Sequence, residues 1–297
     1  MTKHLFILNP SAGKGDALKY IPLIENYFND LDHEFEIKIT EYKGQATELA
    51  KDFSKKGFHR IYAVGGDGTV NEVLNGLIGS SSILGIIPCG TGNDFIKNIT
   101  SSKKDILKNT IQGTIKEIDI GKINKNYYIN ISSIGLDSEV TYNARLFKGK
   151  KYIPSKLAYI LSLLYTPFKF KPLKLDITID DTNFSQESLL LTSSNGKCYG
   201  GGIYITPEAD IFDGYLDICS IKKANFFRLM KYIPRALGGK LDGIPEVSYY
   251  KAKKVTVNSN KEFTVNIDGE ILKSNSVNFE ILPKALKILM PKIEQIS

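Results

Sequence analysis

Short apolar runs alternate with amphipathic stretches through the first part of the chain. The runs 5–8, 61–64 and 83–88 hold almost no polar residue, the mark of strands buried on both faces. Between them the spacing predicts helices over 17–30, 45–56 and 69–79, with a further strand at 35–40. That rhythm predicts a parallel sheet covered by helices. Later the pattern changes to short strands, many of alternating polarity, at 117–122, 127–133, 173–179, 188–193, 216–221, 254–258, 263–267 and 277–281. Such runs predict an antiparallel sandwich or barrel. Two helical insertions, 157–165 and 226–237, interrupt them. The expected organisation is an α/β domain over 1–124, a β-rich domain over 125–283, and a tail, 284–297, packing back on the first.

Three predicted strands of the first domain run straight into glycine-rich loops. These are Asn9-Pro10-Ser11-Ala12-Gly13-Lys14-Gly15, Gly65-Gly66-Asp67-Gly68-Thr69-Val70-Asn71-Glu72 and Gly90-Thr91-Gly92-Asn93-Asp94-Phe95. In an open parallel sheet they gather at the carboxyl edge, where ligands of such folds bind. A helix N-terminus there offers unpaired N–H groups and the positive end of a dipole, which suit phosphate. Asp67 is acidic in a place built for anions, which makes sense if a metal ion accompanies the phosphates. A Walker A loop is excluded, because Gly13-Lys14 is followed by Gly15 and position 8 is Leu8. The dinucleotide pattern fails too: Gly66 and Gly68 lead to Asn71, and Gly90 and Gly92 to Phe95.

Composition narrows the setting. No run is long and apolar enough to span a membrane, and the opening residues predict no signal peptide. Cys89, Cys198 and Cys219 are scattered without Cys-x-x-Cys spacing, which argues against zinc and against a disulfide framework, so a reducing cytoplasm is expected. Lys and Arg exceed Asp and Glu by 39 − 32 = 7, a mild bias toward anionic surfaces. Basic residues do not cluster with aromatics in a nucleic-acid-binding pattern. His4, His33 and His59 read as structural or solvated, none accompanying a Cys or Ser at catalytic spacing.

Together these motifs resemble the bacterial diacylglycerol kinase-like lipid kinases, whose catalytic domain is shared with eukaryotic diacylglycerol and sphingosine kinases. The three loops look like that family's nucleotide segments; Tyr199-Gly200-Gly201-Gly202, residues 207–217 and Asp268-Gly269-Glu270 look like its second-domain signatures. The resemblance implies a parallel-sheet nucleotide-binding domain followed by an antiparallel β-sandwich, with ATP held between them. It implies that Asn9, Pro10, Ser11, Ala12, Gly13, Thr40, Gly66, Asp67, Gly68, Thr69, Val70, Asn71, Glu72 and Thr91 hold the nucleotide. Glu270 matches the general base that takes the acceptor hydroxyl's proton; a hairpin turn with a solvated Glu is the alternative. Asp67, Asp94 and Asp119 are expected to position Mg²⁺-bound phosphates. Asp94 also suits a helix N-cap, and Asp119 an outward-facing strand position. Asp210, Asp213 and the Tyr215 carbonyl match a second Mg²⁺ site, with a plain Asp-Gly turn as the alternative.

The implied reaction is transfer of the γ-phosphate of ATP to a lipid hydroxyl, diacylglycerol giving phosphatidic acid. A soluble-acceptor kinase related to NAD kinases, or a regulator that has lost catalysis, are the alternatives. Lys148-Gly149-Lys150-Lys151, the apolar stretch 157–165 and Phe226-Phe227-Arg228-Leu229-Met230 combine cations with apolar residues, as a membrane interface requires, although core packing with extended lysines reads the same. The expected setting is the inner face of the cytoplasmic membrane, peripherally bound; the oligomeric state stays open, with a homodimer as one option.

Overall fold

The computed structural model describes residues 2–29, 31, 33–90, 92–102, 104–148, 161–162, 165–167, 169–224, 228, 232, 234–235 and 238–292. The predicted helices at 157–165 and 226–237, and the basic run from Lys148, fall mostly outside them. The chain is a mixed α/β protein that divides into two units: Met1–Ile120 with Ile211–Gly214 and Leu282–Ser297, and Gly121–Asp210 with Tyr215–Ile281.

The first unit opens with strand β1 (Lys3–Leu8), a 3-10 segment (Ala12–Lys19) and helix α1 (Tyr20–Phe28). Then come β2 (Glu34–Ile39), α2 (Gln45–Lys55), β3 (Arg60–Gly65), α3 (Asp67–Leu77), β4 (Ile83–Pro88) and the short α4 (Ile106–Ile111). Strand β5 (Thr114–Ile123) leads into the second unit. The strands pair in the order β2-β1-β3-β4, all parallel. Leu5, Phe6, Ile7 and Leu8 are all fully buried, as a central strand covered on both faces requires. Each such side chain contributes about 1.5–3 kcal/mol by leaving water. Helix α2 buries Ala46, Ala50 and Phe53, the i, i+4, i+7 stripe of an amphipathic helix. Helix α1 starts three residues later than predicted, because residues up to Lys19 form the 3-10 segment instead, itself broken where Gly13, Lys14 and Gly15 hold φ values of 60°, 59° and 100°.

The second unit contains β6 (Asn126–Tyr128), β7 (Ile131–Gly135), α5 (Leu136–Lys148), β8 (Leu173–Ile179), β9 (Thr182–Ser194), β10 (Leu216–Lys222), β11 (Val247–Ala252), β12 (Lys254–Ile267) and β13 (Glu270–Met290). Its pairings are antiparallel, with β8 running along the first halves of β9 and β12 and β7 along their second halves. Beyond β9 lie β10 and then β11. Ile134, Leu175, Ile177, Leu191, Val257 and Val265 share one core cluster. The last residues of β13 belong to the first unit, where Lys287 and Ile288 pair in parallel with Ile83 and Leu84 of β4. Among the described residues, no helix is long and apolar enough to cross a membrane.

His4 on β1 gives this sheet a pH dependence. Its ring is 2% exposed, stacks on Tyr62 and meets Phe28 and His33 edge-on. Nδ1 lies 3.1 Å from the Tyr62 hydroxyl, whereas buried Nε2 has no hydrogen-bond partner. Burial, then the charges of Arg60 and His33, push its pKa down to about 3. The unfolded chain therefore binds this proton more readily, so the His4 contribution to stability is fully present above pH about 6.5 and is lost as pH drops toward 3. Denaturant melts across this window are expected to show a shallower acid loss for His4→Gln than for the native chain. Parallel profiles for the two proteins would contradict this.

Candidate active site

The three loops meet in the first unit. The Asn9 N–H donates to the Val64 carbonyl at 3.1 Å, and the Cys89 N–H to the Gly65 carbonyl at 2.8 Å. Side-chain bonds add to this: Asn9 Nδ2 donates to Thr69 Oγ1 at 3.2 Å, while Asn9 Oδ1 accepts the Ser11 N–H at 3.0 Å. Gly13 sits in the left-handed region against the Cys89 carbonyl, where any Cβ would collide. The second and third loops also touch through their main chains, since a Cβ on Gly90 would lie 2.7 Å from the Gly66 Cα. Two glycine contacts thus bring main chain against main chain.

Asp67 opens the first turn of α3, and its Oδ1 accepts the Asp94 N–H at 2.9 Å and the Phe95 N–H at 3.4 Å. One carboxylate oxygen therefore fixes the path of the third loop. Burial, and next the charge of Asp94, raise the Asp67 pKa above the ordinary aspartate value. Asp94 is 5% exposed and pairs with Lys97 at 2.7 Å. It stands at the N-cap of the 3-10 turn Phe95–Asn98 without a side-chain capping bond to it. Two carboxylates in one desolvated place repel each other, and a divalent cation offsets that repulsion.

The other expected nucleotide residues occupy varied positions. Pro10 and Ala12 are half-buried, while Ser11 and Gly68 are exposed. Thr69, Val70 and Asn71 are buried, and the Glu72 carbonyl accepts the Thr47 hydroxyl at 2.8 Å. Thr40 is buried at the end of β2, its N–H and hydroxyl both donating to the Leu8 carbonyl, at 2.8 and 3.3 Å. Thr91 lies outside the described residues.

Asp119 takes neither an outward-facing position nor an open one at a strand end. It is 1% exposed, and its oxygens accept the Gly214 N–H at 2.6 Å and the Lys284 N–H at 2.8 Å. Its own N–H donates to the Ile211 carbonyl at 2.8 Å. These bonds stitch three stretches of the first unit together. Of the expected metal ligands, Asp213 lies in the 211–214 loop so held, whereas Asp210 and Tyr215 belong to the second unit. Among the described residues, no group of three or more His, Cys, Asp or Glu side chains could hold a metal by itself. Asp67 and Asp94 still fit an ion arriving with phosphates, since Mg²⁺ commonly takes one or two carboxylates plus phosphate oxygens.

In the second unit the hairpin between β12 and β13 turns through Asp268 and Gly269, at φ 47° and 92°, with Ile267 opposite Glu270. Two successive positive φ values mark the type I′ turn that Asp-Gly favours. The Asp268 carboxylate fills a nest of main-chain donors, accepting the N–H groups of Ile129 at 2.7 Å, Asn130 at 3.2 Å and Ile131 at 2.9 Å. The Gly269 N–H donates to Asn266 Oδ1 at 2.8 Å. Glu270 emerges from this braced turn half-exposed, one oxygen 3.4 Å from Arg145 Nη2. The expected hairpin is present, and its Glu has a cationic partner. Sequence reasoning missed both the Asp268 nest and Arg145. Asp-Gly itself was a signal for the turn; nothing local pointed to Arg145.

Residues 3–123 match the family model described as the diacylglycerol kinase catalytic domain, and residues 130–290 that of the YegS C-terminal NAD kinase beta sandwich-like domain. The chain is 32% identical over 297 residues to the diacylglycerol kinase of Bacillus subtilis (strain 168), covering 98% of this chain and 97% of the other. It is 30% identical to the diacylglycerol kinase of Staphylococcus saprophyticus, over 96% of this chain and 94% of the other. A crystal structure of a diacylglycerol kinase from Bacillus anthracis superposes with a TM-score of 0.74 at 25% identity, covering 97% of this chain and 96% of that one.

Proposed function

The chain belongs to the diacylglycerol kinase catalytic-domain family, and on that premise we propose that it transfers the γ-phosphate of ATP to a lipid hydroxyl, converting diacylglycerol to phosphatidic acid. The observation that carries this reading is the meeting of three strand-end loops around the α3 N-terminus, with Asp67 and Asp94 side by side. Main-chain N–H groups and a helix dipole favour phosphate there, while the two carboxylates favour the cation that travels with it. In this reading the first unit, a parallel-sheet domain, binds the nucleotide through Asn9 to Gly13, Gly66 to Glu72 and Thr91. The second unit, an antiparallel sandwich, receives the lipid.

Asp67 acts twice, fixing the third loop through Oδ1 and presenting negative charge to a phosphate-borne Mg²⁺. That ion, when bound, supplies charge neutralisation on the transferring group. Glu270 orients the acceptor hydroxyl and takes its proton as the phosphoryl group moves, so the proton ends on the Glu270 carboxylate. Thr40 supports the nucleotide site through the main chain of β1, and Asp119 by bracing the 211–214 loop and Lys284. A second Mg²⁺ at Asp210, Asp213 and the Tyr215 carbonyl would brace the fold. The enzyme meets its substrate from the cytoplasmic side as a peripheral protein, with a homodimer as its candidate assembly.

The match of residues 130–290 to a domain described as NAD kinase beta sandwich-like makes a soluble acceptor the competing reading. Incubation with ATP, Mg²⁺ and dioleoylglycerol in detergent micelles, beside a parallel reaction with NAD, separates the two. The expected product is phosphatidic acid. Phosphorylated NAD in its place would overturn the lipid assignment.

A further inference from the structure

The turn that carries Glu270 is gripped from two sides. On one side the Asp268 carboxylate is anchored by three main-chain amides of residues 129–131. On the other, Arg145 of α5 donates through Nη2 to the Gly269 carbonyl, and the same nitrogen lies 3.4 Å from Glu270 Oε2. Helix α5 is itself fixed to β12, where the Thr264 hydroxyl donates to the Glu139 carboxylate. Arg145 therefore reaches the turn from a seated helix, and its guanidinium bridges the turn's main chain to the carboxylate that follows it.

The main chain at 268–269 is already determined by the type I′ turn and the Asp268 nest. What those bonds leave undetermined is the side-chain torsions of Glu270. An Arg–carboxylate pair at 45% and 38% side-chain exposure contributes little to stability, so its value lies in orientation. The planar guanidinium presents several donors in fixed directions. We propose that Arg145 is a positioning residue for Glu270, selecting the side-chain direction from which the carboxylate meets the acceptor hydroxyl. This rests on Glu270 acting as the base.

The test is a double-mutant cycle on the full chain, using R145A, R145K, E270Q and R145A/E270Q with ATP and dioleoylglycerol in detergent micelles. R145A is expected to lower kcat about tenfold, because a misdirected base costs rate even when it is present. The KM for ATP is expected to stay within about twofold, the mark of an interaction felt in the transition state rather than in nucleotide binding. R145K, which keeps the charge without the fork, is expected to recover part of the loss. In the E270Q background R145A is expected to add nothing, since Arg145 acts through the carboxylate. A kcat for R145A within about twofold of native, or a full multiplicative loss on top of E270Q, would overturn the proposal. Native activity in E270Q alone would remove the base assignment and the role of Arg145 with it.

Discussion

Glu270→Gln is expected to lower kcat by about 10²–10⁴-fold while ATP binding stays near native. The amide has almost the carboxylate's shape but cannot accept the acceptor's proton. The turn beneath it does not depend on the acid: Asp268 and its three amide donors, the Gly269 bond to Asn266 and the Ile267–Glu270 pairing all remain. A loss of rate can then be ascribed to chemistry rather than to unfolding. Kinetics with saturating lipid, together with direct titration of ATP, check this. Unchanged turnover would remove Glu270 from the mechanism, whereas parallel loss of ATP affinity would point to a damaged fold.

Asp67→Asn is the second large effect, expected to lower turnover by about 10²-fold and to weaken Mg²⁺-ATP more than ATP alone. The amide oxygen of Asn can still accept from the main chain at Asp94 and Phe95, so the third loop keeps its path. What the variant loses is charge, in a place where burial and Asp94 already hold the carboxyl above its ordinary pKa. Asp67→Ala removes the acceptor as well, leaving part-buried N–H groups without their partner, and is expected to lose a further ~1–3 kcal/mol of stability. Titration of nucleotide with and without Mg²⁺, plus denaturant melts, distinguishes these effects. Turnover within about threefold of native for Asp67→Asn would contradict the charge role.

The loops were legible because each combines a continuous apolar strand with glycines at its end, a local pattern that needs no knowledge of distant residues. Their mutual contacts also follow from parallel topology, which sends the ends of β1, β3 and β4 to one edge. The bracing carboxylates were not legible in the same way. Asp268 finds its donors 137–139 residues away, and Asp119 accepts from residues 95 and 165 positions on. No local spacing encodes such pairings. The resemblance places Asp119 with the phosphate-positioning acids, but the main-chain bonds that seat it inside the first unit leave no local sign in the sequence. Helix α5 escaped notice because Leu136–Lys148 is mostly polar, and with it went Arg145. The tail carries the end of β13, whose Lys287 and Ile288 pair in parallel with β4, a long-range pairing that no local pattern encodes. Helix α3 begins at Asp67, two residues earlier than expected, which places the acid within the first turn.

Purified protein incubated with γ-labelled ATP, Mg²⁺ and a total bacterial lipid extract, followed by solvent partition, shows whether this chain moves phosphate from ATP onto a lipid. Label is expected in the organic phase, dependent on Mg²⁺, absent with Glu270→Gln and migrating with phosphatidic acid. Label confined to the aqueous phase, or equal organic label with native protein and Glu270→Gln, would contradict it.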